Sequence, residues 1–174
     1  GANTVAQGDS STALGGWSDQ NNNGIVSPAE VTTASQDGAT ALGAAAHATG
    51  LDSTATGLTS IASGDASSAF GAGAEADGTA SSAFGNSAFA GGEDSSAFGQ
   101  GSFANGELST AIGAGAEADG VQSTAVGRDS LASGDSSNAF GNFSQAQGRY
   151  STAVGSWYDK NNDTNADPGE YTNA

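Results

Sequence analysis

Small and bulky side chains recur along this chain with a fixed period of 14 residues. Eight uninterrupted copies run from residue 37 to residue 148, and partial copies begin at Asp9 (DSSTALG) and Arg149 (RYSTAVG). Fixed self-similarity at such a period is typical of a solenoid, in which each copy forms one structural unit. Because 14 residues are too few for a pair of helices, we expect each copy to be one coil with two short β-strands and two turns.

Glycine marks the ends of both predicted strands. With Asp37 taken as position 1, glycine occupies positions 7 and 14 in all eight copies. We expect these positions to be the corners of the coil, where a sharp turn or a positive φ favours glycine. Stacked coils about 4.8 Å apart would then form an all-β rod about 40 Å long.

The second predicted strand of each copy has small residues on one face and polar residues on the other. Position 12 is alanine in every copy and position 10 is alanine or serine, whereas positions 11 and 13 carry residues such as His47, Glu75 and Asp77. Charges at that density cannot line a dry interior. We therefore expect positions 10 and 12 to point into the coil and positions 9, 11 and 13 to face water.

The first predicted strand leaves two arrangements open, because its small and bulky residues alternate and cannot share a face. Position 5 is alanine and position 3 is serine or alanine, whereas position 6 is bulky in nearly every copy: Leu42, Thr56, Phe70, Phe84, Phe98, Ile112, Val126 and Phe140, with Leu14 and Val154 in the partial copies. Burying the bulky set would leave unpaired hydroxyls inside, so we expect the small set to point inward. The bulky row would then lie outside and need covering, which predicts a homo-oligomer with identical rungs meeting around an axis.

Composition excludes several classes of protein. The 174 residues carry a formal net charge of -16, which disfavours nucleic acid as a partner, and they include no cysteine for disulfide or thiolate chemistry. No apolar run approaches the ~20 residues that span a bilayer, so we expect no direct membrane insertion. A single histidine without cysteine provides no Ser-His or Cys-His pair, so we expect no enzyme and a solvated His47.

Position 11 and its neighbours offer one candidate contact surface. The acidic pairs Glu75/Asp77 and Glu117/Asp119 recur with the repeat, and we expect them to form a solvated face rather than a glycoside-hydrolase pair. In the copies next to these pairs, position 11 holds apolar residues: Ile61, Phe89, Phe103 and Leu131. This apolar row either packs along the rod or contacts a ligand such as a fibrous protein or a glycan.

The repeat core resembles the head repeats of trimeric autotransporter adhesins, the YadA-like family. The motifs STALG, SSAFG, STAIG and STAVG stand at Ser11, Ser67, Ser109 and Ser151, and the resemblance covers about residues 9–156. It implies a left-handed parallel β-roll assembled as a homotrimer. It also implies an extracellular adhesin head on a cell surface, held to an outer membrane by a domain outside this chain, with an extracellular protein or glycan as ligand. The alternative is a structural spacer in a surface fibre that presents another binding domain.

Two segments interrupt the repeat at the same phase of the coil, after Gly15 and after Gly155. The first matches the calcium loop D-x-[DN]-x-[DN]-G-x5-E, in which alternate residues supply oxygen ligands, and the second matches it except that Thr164 replaces the glycine. The predicted ligands are Asp19, Asn21, Asn23, Ile25 through its carbonyl, Ser27 and Glu30 in the first segment, and Asp159, Asn161, Asp163, Asn165, Asp167 and Glu170 in the second.

The end of each segment carries a second signal. Ser27-Pro28-Ala29-Glu30 and Asp167-Pro168-Gly169-Glu170 each read as a cap, a proline and a glutamate that start a short helix. The alternative for each segment is an asparagine-rich turn without metal, but two matches at one phase favour structural Ca²⁺. We therefore expect a single head domain over 1–174, with an EF-hand-like loop at 17–36, eight repeats at 37–148 and a second loop at 157–174.

Overall fold

The computed structural model describes residues 3–156 and 173. In that part of the chain, short strands form two parallel sheets of ten strands each. The strands of the front sheet are β2 (Thr12–Leu14), β4 (Thr40–Leu42), β6 (Thr54–Thr56), β8 (Ser68–Phe70), β10 (Ser82–Phe84), β12 (Ser96–Phe98), β14 (Thr110–Ile112), β16 (Thr124–Val126), β18 (Asn138–Phe140) and β20 (Thr152–Val154). The strands of the back sheet are β1 (Thr4–Ala6), β3 (Thr32–Ala34), β5 (His47–Ala48), β7 (Ile61–Ala62), β9 (Glu75–Ala76), β11 (Phe89–Ala90), β13 (Phe103–Ala104), β15 (Glu117–Ala118), β17 (Leu131–Ala132) and β19 (Gln145–Ala146).

Successive coils stack in register, so that each repeat position forms a row along the rod. In the front sheet Ser82, Ala83 and Phe84 pair with Ser96, Ala97 and Phe98, and in the back sheet Phe89 pairs with Phe103. The chain alternates between the two sheets from one strand to the next. This arrangement confirms the predicted all-β parallel β-solenoid.

The core is a narrow file of alanine and serine side chains. Alanines at positions 3, 5, 10 and 12 of the repeat are fully buried, among them Ala39, Ala41, Ala46 and Ala48. The bulky residues of position 6 lie outside, and Phe98, for example, is 40% exposed. The prediction that the small set points inward is therefore confirmed. Side chains this small allow the two sheets to pack closely without voids.

The buried serines fall into two groups that differ in their hydrogen bonds. Hydroxyls at position 10 donate to the carbonyl of the corner glycine three residues earlier: Ser60 to Gly57 at 3.1 Å, Ser102 to Gly99 at 3.0 Å, Ser130 to Gly127 at 2.9 Å and Ser144 to Gly141 at 2.9 Å. At position 3, by contrast, only Ser53 of the buried serines in the described residues is paired in this way, to Gly50 at 2.7 Å. The other buried position-3 hydroxyls have no hydrogen-bond partner: Ser67, Ser81, Ser95, Ser109, Ser123, Ser137 and Ser151. A buried hydroxyl without a hydrogen-bond partner destabilises the fold, and such hydroxyls lie on the side of the core next to the front sheet.

The predicted glycine corners are found, but only one of the two needs a positive φ. Glycines at position 7 are left-handed, as at Gly85 with φ +145°. At position 14 the glycine is required by close stacking instead, because a Cβ on Gly92 would overlap the carbonyl of Gly106 in the next coil. Positive φ values recur at positions 2 and 9, where other residue types stand, including Leu108 (58°) and Phe143 (57°).

The first insertion leaves and re-enters the roll at one corner of a coil. Its base is closed by an antiparallel bridge between Trp17 and Val31 and by a hydrogen bond of 3.0 Å from the amide of Thr32 to the carbonyl of Gly16. Strand β3 then joins the back sheet between β1 and β5. The coil has therefore resumed at Thr32, within the segment 17–36 that the sequence assigns to the loop.

Candidate functional site

The first insertion curls around the side chains at its start. The carboxylate of Asp19 accepts the amide of Asn23 at 3.0 Å and the amide of Gly24 at 2.8 Å. The side-chain oxygen of Asn21 accepts the same Asn23 amide at 3.0 Å, so the oxygens of Asp19 and Asn21 converge on one point. Gly24 has φ +70°, which supports the sharp turn expected at the sixth position of a calcium loop.

Glu30 closes the loop from its other end. Its side chain is only 2% exposed, and its carboxylate accepts the amide of Gln20 at 3.1 Å, the amide of Ser27 at 3.0 Å and the hydroxyl of Ser27 at 2.9 Å. Burial alone would raise the pKa of Glu30, but the hydrogen bonds from Ser27, Gln20 and Asn21 favour the charged form and hold the pKa below its ordinary value. The predicted helix after the loop is a single 3-10 turn over Pro28–Glu30, capped by this contact.

The donor set of this loop fits a hard cation with few charged ligands. It offers two carboxylates, Asp19 and Glu30, with the amide oxygens of Asn21 and Asn23, and oxygen ligands of these kinds suit Ca²⁺. Several of these oxygens already accept the loop's own amides, including Asn23, which accepts the amide of Ile25 at 2.7 Å. No group of three or more histidine, aspartate and glutamate residues gathers around a possible metal position in the described residues.

The second predicted loop lies outside the described residues. This applies to all six of its predicted ligands: Asp159, Asn161, Asp163, Asn165, Asp167 and Glu170. What the structure does describe is Asn173, which forms a parallel bridge with Gln145 of the back sheet. Val5 before the first insertion pairs in parallel with Thr33 after it, and these two residues are also 28 positions apart in the sequence. Thr33 and Asn173 therefore join the back sheet at corresponding places.

A sequence signal for this equivalence exists beyond the calcium pattern. The segment Glu30-Val31-Thr32-Thr33-Ala34 corresponds to Glu170-Tyr171-Thr172-Asn173-Ala174, and Trp17 precedes Val31 by the same number of residues as Trp157 precedes Tyr171. The fifth residue of each segment, Ala34 or Ala174, is an alanine like the residue at position 12 of the repeat. This alanine indicates that the roll has resumed, and it could have been used to predict strand β3 from the sequence.

His47 joins the first insertion to the roll. Its Nε2 lies 3.0 Å from the carbonyl oxygen of Ala29, which also accepts the side-chain amide of Gln20 at 3.3 Å. The imidazole is half-buried on the outer face of the back sheet, which agrees with the predicted surface position, but its contact with Ala29 was not predicted. Between the loop and the back sheet lies a cavity of about 480 Å³, lined by Val5, Gln7, Val26, Ser27, Pro28, Val31, Thr33 and His47. The insertion is therefore folded over the outer face of the back sheet.

Beyond the insertion, the row at position 11 forms a strip on the outer face of the back sheet. In order along the rod it contains Ile61, Glu75, Phe89, Phe103, Glu117 and Leu131, each paired with the next. The rings of Phe89 and Phe103 have centroids 6.2 Å apart, and Phe103 is 42% exposed. We call these six residues the back strip.

The two glutamates of the back strip are partly buried and lie beside a second carboxyl group, which disfavours their charged forms. Burial beside apolar neighbours, followed by repulsion from Asp77, raises the pKa of Glu75, and burial with repulsion from Asp119 raises the pKa of Glu117. Both aspartates are held in place, Asp77 by the hydroxyl of Ser63 and Asp119 by the amide of Asn105 at 2.6 Å. Each pair is therefore a fixed concentration of negative charge.

The outer face of the front sheet has the opposite character. It carries only positions 4 and 6 of each coil, and in ten strands none of these residues is charged. The rings of Phe84 and Phe98 lie 5.0 Å apart and within 8° of parallel. The chain thus has one uncharged, partly aromatic face and one face with fixed acidic pairs.

Comparison with known proteins agrees with this architecture. The YadA head domain repeat matches residues 1–16, 34–60, 48–74, 62–88, 76–102, 90–116, 104–130 and 132–156, leaving out the first insertion. No curated protein matches the chain. A solved structure, the collagen-binding domain of the Yersinia adhesin YadA, shares the fold with a TM-score of 0.58 at 24% identity, covering 90% of this chain and 85% of that one.

The described residues form no helix that is long and apolar enough to cross a membrane. The matched repeats cover most of the chain and coincide with the coils of the roll. That family is one of adhesin-type surface domains and not of enzymes. The chain belongs to the YadA head repeat family.

Proposed function

We propose that this chain is the head of a homotrimeric surface adhesin, which attaches a cell to extracellular protein or glycan. The observation that carries the proposal is the contrast between the two outer faces. The front face is uncharged over ten strands in a chain with a net charge of -16, whereas the back face carries acids and exposed aromatic rings. One face suits association with identical chains and the other suits contact with a ligand.

The front face supports the homotrimer. Phe98, Ile112 and Phe140 are 40%, 42% and 40% exposed, and they continue a row that runs the length of the roll. Exposed apolar surface of that extent is typical of an interface rather than of a free monomer. Association around an axis parallel to the rod places identical rungs at the same height, which suits a repeat that stacks in register.

Rigid display supports adhesion over catalysis. Every rung repeats a similar outer surface, so weak contacts made by several rungs and three chains would add as avidity. The relative with a solved structure is a collagen-binding domain, which makes a fibrous extracellular protein a reasonable first ligand to test. The head would lie outside the cell, with its outer-membrane anchor in a domain beyond this chain.

The two insertions would hold structural Ca²⁺. In the first, Asp19, Asn21, Asn23 and Glu30 would supply side-chain oxygens, Ile25 a carbonyl and Ser27 a hydroxyl or bridging water. The second has four carboxylates, Asp159, Asp163, Asp167 and Glu170, and should bind the ion more tightly. A bound ion would rigidify the loop and reduce the local negative charge.

Adhesion is tested with beads coated with the purified head, applied to surfaces carrying collagen, other matrix proteins or glycans. We expect saturable attachment to at least one surface, and light scattering should give three times the mass of one chain. Heads that attach to none of these surfaces, while an adjoining domain of the same fibre does, would establish the spacer function instead.

Calcium is tested by calorimetric titration and by thermal unfolding with calcium or with a chelator. We expect binding that is weakened by Asp19→Ala in the first loop and by Asp159→Ala in the second. Asp94→Asn, at an exposed corner in a repeat outside both predicted loops, is the matched control. Equal melting temperatures with calcium and with chelator, and no heat of binding, would remove the metal from the proposal.

A further inference from the structure

We propose that the back strip binds a polypeptide segment with two basic side chains about 14 Å apart and apolar residues between them. The inference rests on the proposed adhesin function and names the chemistry of the partner. The spacing follows from the register of the back sheet, because Glu75 and Glu117 lie three strands apart and parallel strands are about 4.8 Å from one another.

The order of residues in the back strip is symmetric about its centre. Phe89 and Phe103 lie in the middle, Glu75 and Glu117 flank them, and Ile61 and Leu131 stand at the ends. The ring of Phe89 lies over Gly91, whose missing side chain leaves room for it. The strip is therefore an aromatic patch between two acidic sites, with apolar side chains beyond each site.

The acidic sites have no cationic partner in the described part of the chain. Arg128 lies 3.6 Å from Asp129 and over the ring of Phe143, and Arg149 lies over the ring of Tyr150. Basic residues are also scarce in the chain as a whole, with three against nineteen acidic ones. Burial raises the pKa of both glutamates, and repulsion within Glu75/Asp77 and Glu117/Asp119 raises it further. A basic side chain from a partner would relieve that repulsion.

Charge complementarity decides between the possible occupants of this face. A second copy of this chain would bring acids against acids, and a nucleic acid would bring phosphates against them. An uncharged glycan could stack on Phe103 but would leave both acidic sites uncompensated. A basic polypeptide satisfies the acids and covers the rings together.

The geometry also limits the sequence of the partner. An extended chain advances about 3.3 Å per residue, so basic residues at i and i+4 lie about 13 Å apart and match the two acidic sites. The segment would run along the rod, across the strands of the back sheet. Three chains in one rod would present three such strips, so even weak single contacts would be reinforced.

The test uses fluorescently labelled synthetic peptides and the intact head, with binding followed by anisotropy. The probe is Lys-Val-Val-Val-Lys flanked by glycine and serine, compared with a peptide in which both lysines are adjacent and one in which glutamine replaces both. We expect the spaced peptide to bind most tightly and the glutamine peptide to bind about tenfold more weakly or not at all.

Protein variants separate the strip from bulk charge. The double variant Glu75→Gln/Glu117→Gln should weaken binding of the spaced peptide about tenfold, as expected for two partly exposed ion pairs lost together. Phe103→Ser should weaken it as well. The matched control is Glu93→Gln/Glu107→Gln, which removes the same charge from exposed corners of neighbouring coils and should leave binding unchanged.

Equal binding of all three peptides, or equal loss in the strip and control variants, would overturn the inference. Failure here is distinguishable from failure of the proposed function. If wild-type beads attach to a surface and the double variant attaches equally well, adhesion stands and the strip is not its site. If wild-type beads attach to nothing, adhesion itself fails.

Discussion

Phe70 stacks on Phe84 with ring centroids 4.7 Å apart and planes 10° from parallel. Phe84 makes a similar contact with Phe98, so three successive rungs share one ladder of rings on the front face. The ladder exists because parallel strands in register bring identical positions together at every rung. It stabilises neighbouring coils and at the same time gives the front face its apolar surface.

Phe84→Glu should separate the chains without unfolding them. The side chain is half-buried on the outside of the roll, so a charge there is tolerated by one chain but is costly in the centre of an assembly. We expect the mass from light scattering to fall about threefold, to that of one chain, with the circular dichroism spectrum of the roll retained.

Phe103→Glu is the matched control for this prediction. It makes the same change on the back face, where the side chain is 42% exposed, and should leave the mass unchanged. A reversed result, with Phe103→Glu dissociating the assembly and Phe84→Glu not, would place the interface on the back sheet.

The two groups of buried serines should respond oppositely to alanine. Ser102→Ala removes a hydrogen bond to Gly99 and should destabilise the chain by about 1 kcal/mol. Ser95→Ala removes a hydroxyl that is buried without a partner and should be neutral or stabilise by up to about 1 kcal/mol. Denaturant unfolding of both variants measures the difference, and an equal loss in both would show that Ser95 is paired in solution.

Much of the fold follows from two features of the sequence, the period and the alternation of small and bulky residues. Alanine at positions 5 and 12 in every copy defines the core, since only small side chains fit between such closely spaced sheets. The uncharged front face follows from the same alternation. These features are local, repeated and set by side-chain size, so no long-range contact has to be known.

Other features depend on contacts that the sequence does not reveal. The left-handed residues at positions 2 and 9 include Leu108, Phe143 and Tyr150, which are residue types that seldom adopt positive φ. Stacking of each coil on the next imposes this conformation. His47 likewise looks like an ordinary surface residue until the insertion folds back and places Ala29 beside it.

The pH dependence of stability should differ for the two kinds of glutamate. Glu75 and Glu117 have folded-state pKa values raised above 4.5, so the fold favours their protonated forms. Their stabilising contribution is present below the ordinary value and is lost as the pH rises through the folded-state pKa. We therefore expect Glu75→Gln/Glu117→Gln to raise the melting temperature at pH 7 and to have little effect near pH 4.

Glu30 should behave in the opposite way. Its pKa is lowered by the hydrogen bonds at the base of the loop, so its contribution is present above the ordinary value of 4.5 and is lost as the pH falls through the lowered pKa. Glu30→Gln should therefore destabilise the chain at pH 7 but not at low pH. Calorimetric scans of both variants in chelator give the comparison without any contribution from metal, and parallel pH profiles for the two variants would contradict it.

Gly92→Ala should be one of the most damaging small substitutions in the chain. Its Cβ would overlap the carbonyl of Gly106, which is backbone and cannot move without separating two coils. We expect the free energy of unfolding to fall by about 3 kcal/mol, at the upper end for overpacking in a rigid core.

Gly101→Ala is the matched control, since Gly101 stands at position 9 with φ +58° and nothing lies within 4 Å of the added Cβ. Non-glycine residues adopt this conformation at the same position in other coils, as Ser87 does with φ 54°, so the control should lose only about 1 kcal/mol. Denaturant unfolding measures both, and equal losses of about 1 kcal/mol would mean that neighbouring coils move apart enough to accept a Cβ at the position-14 corner.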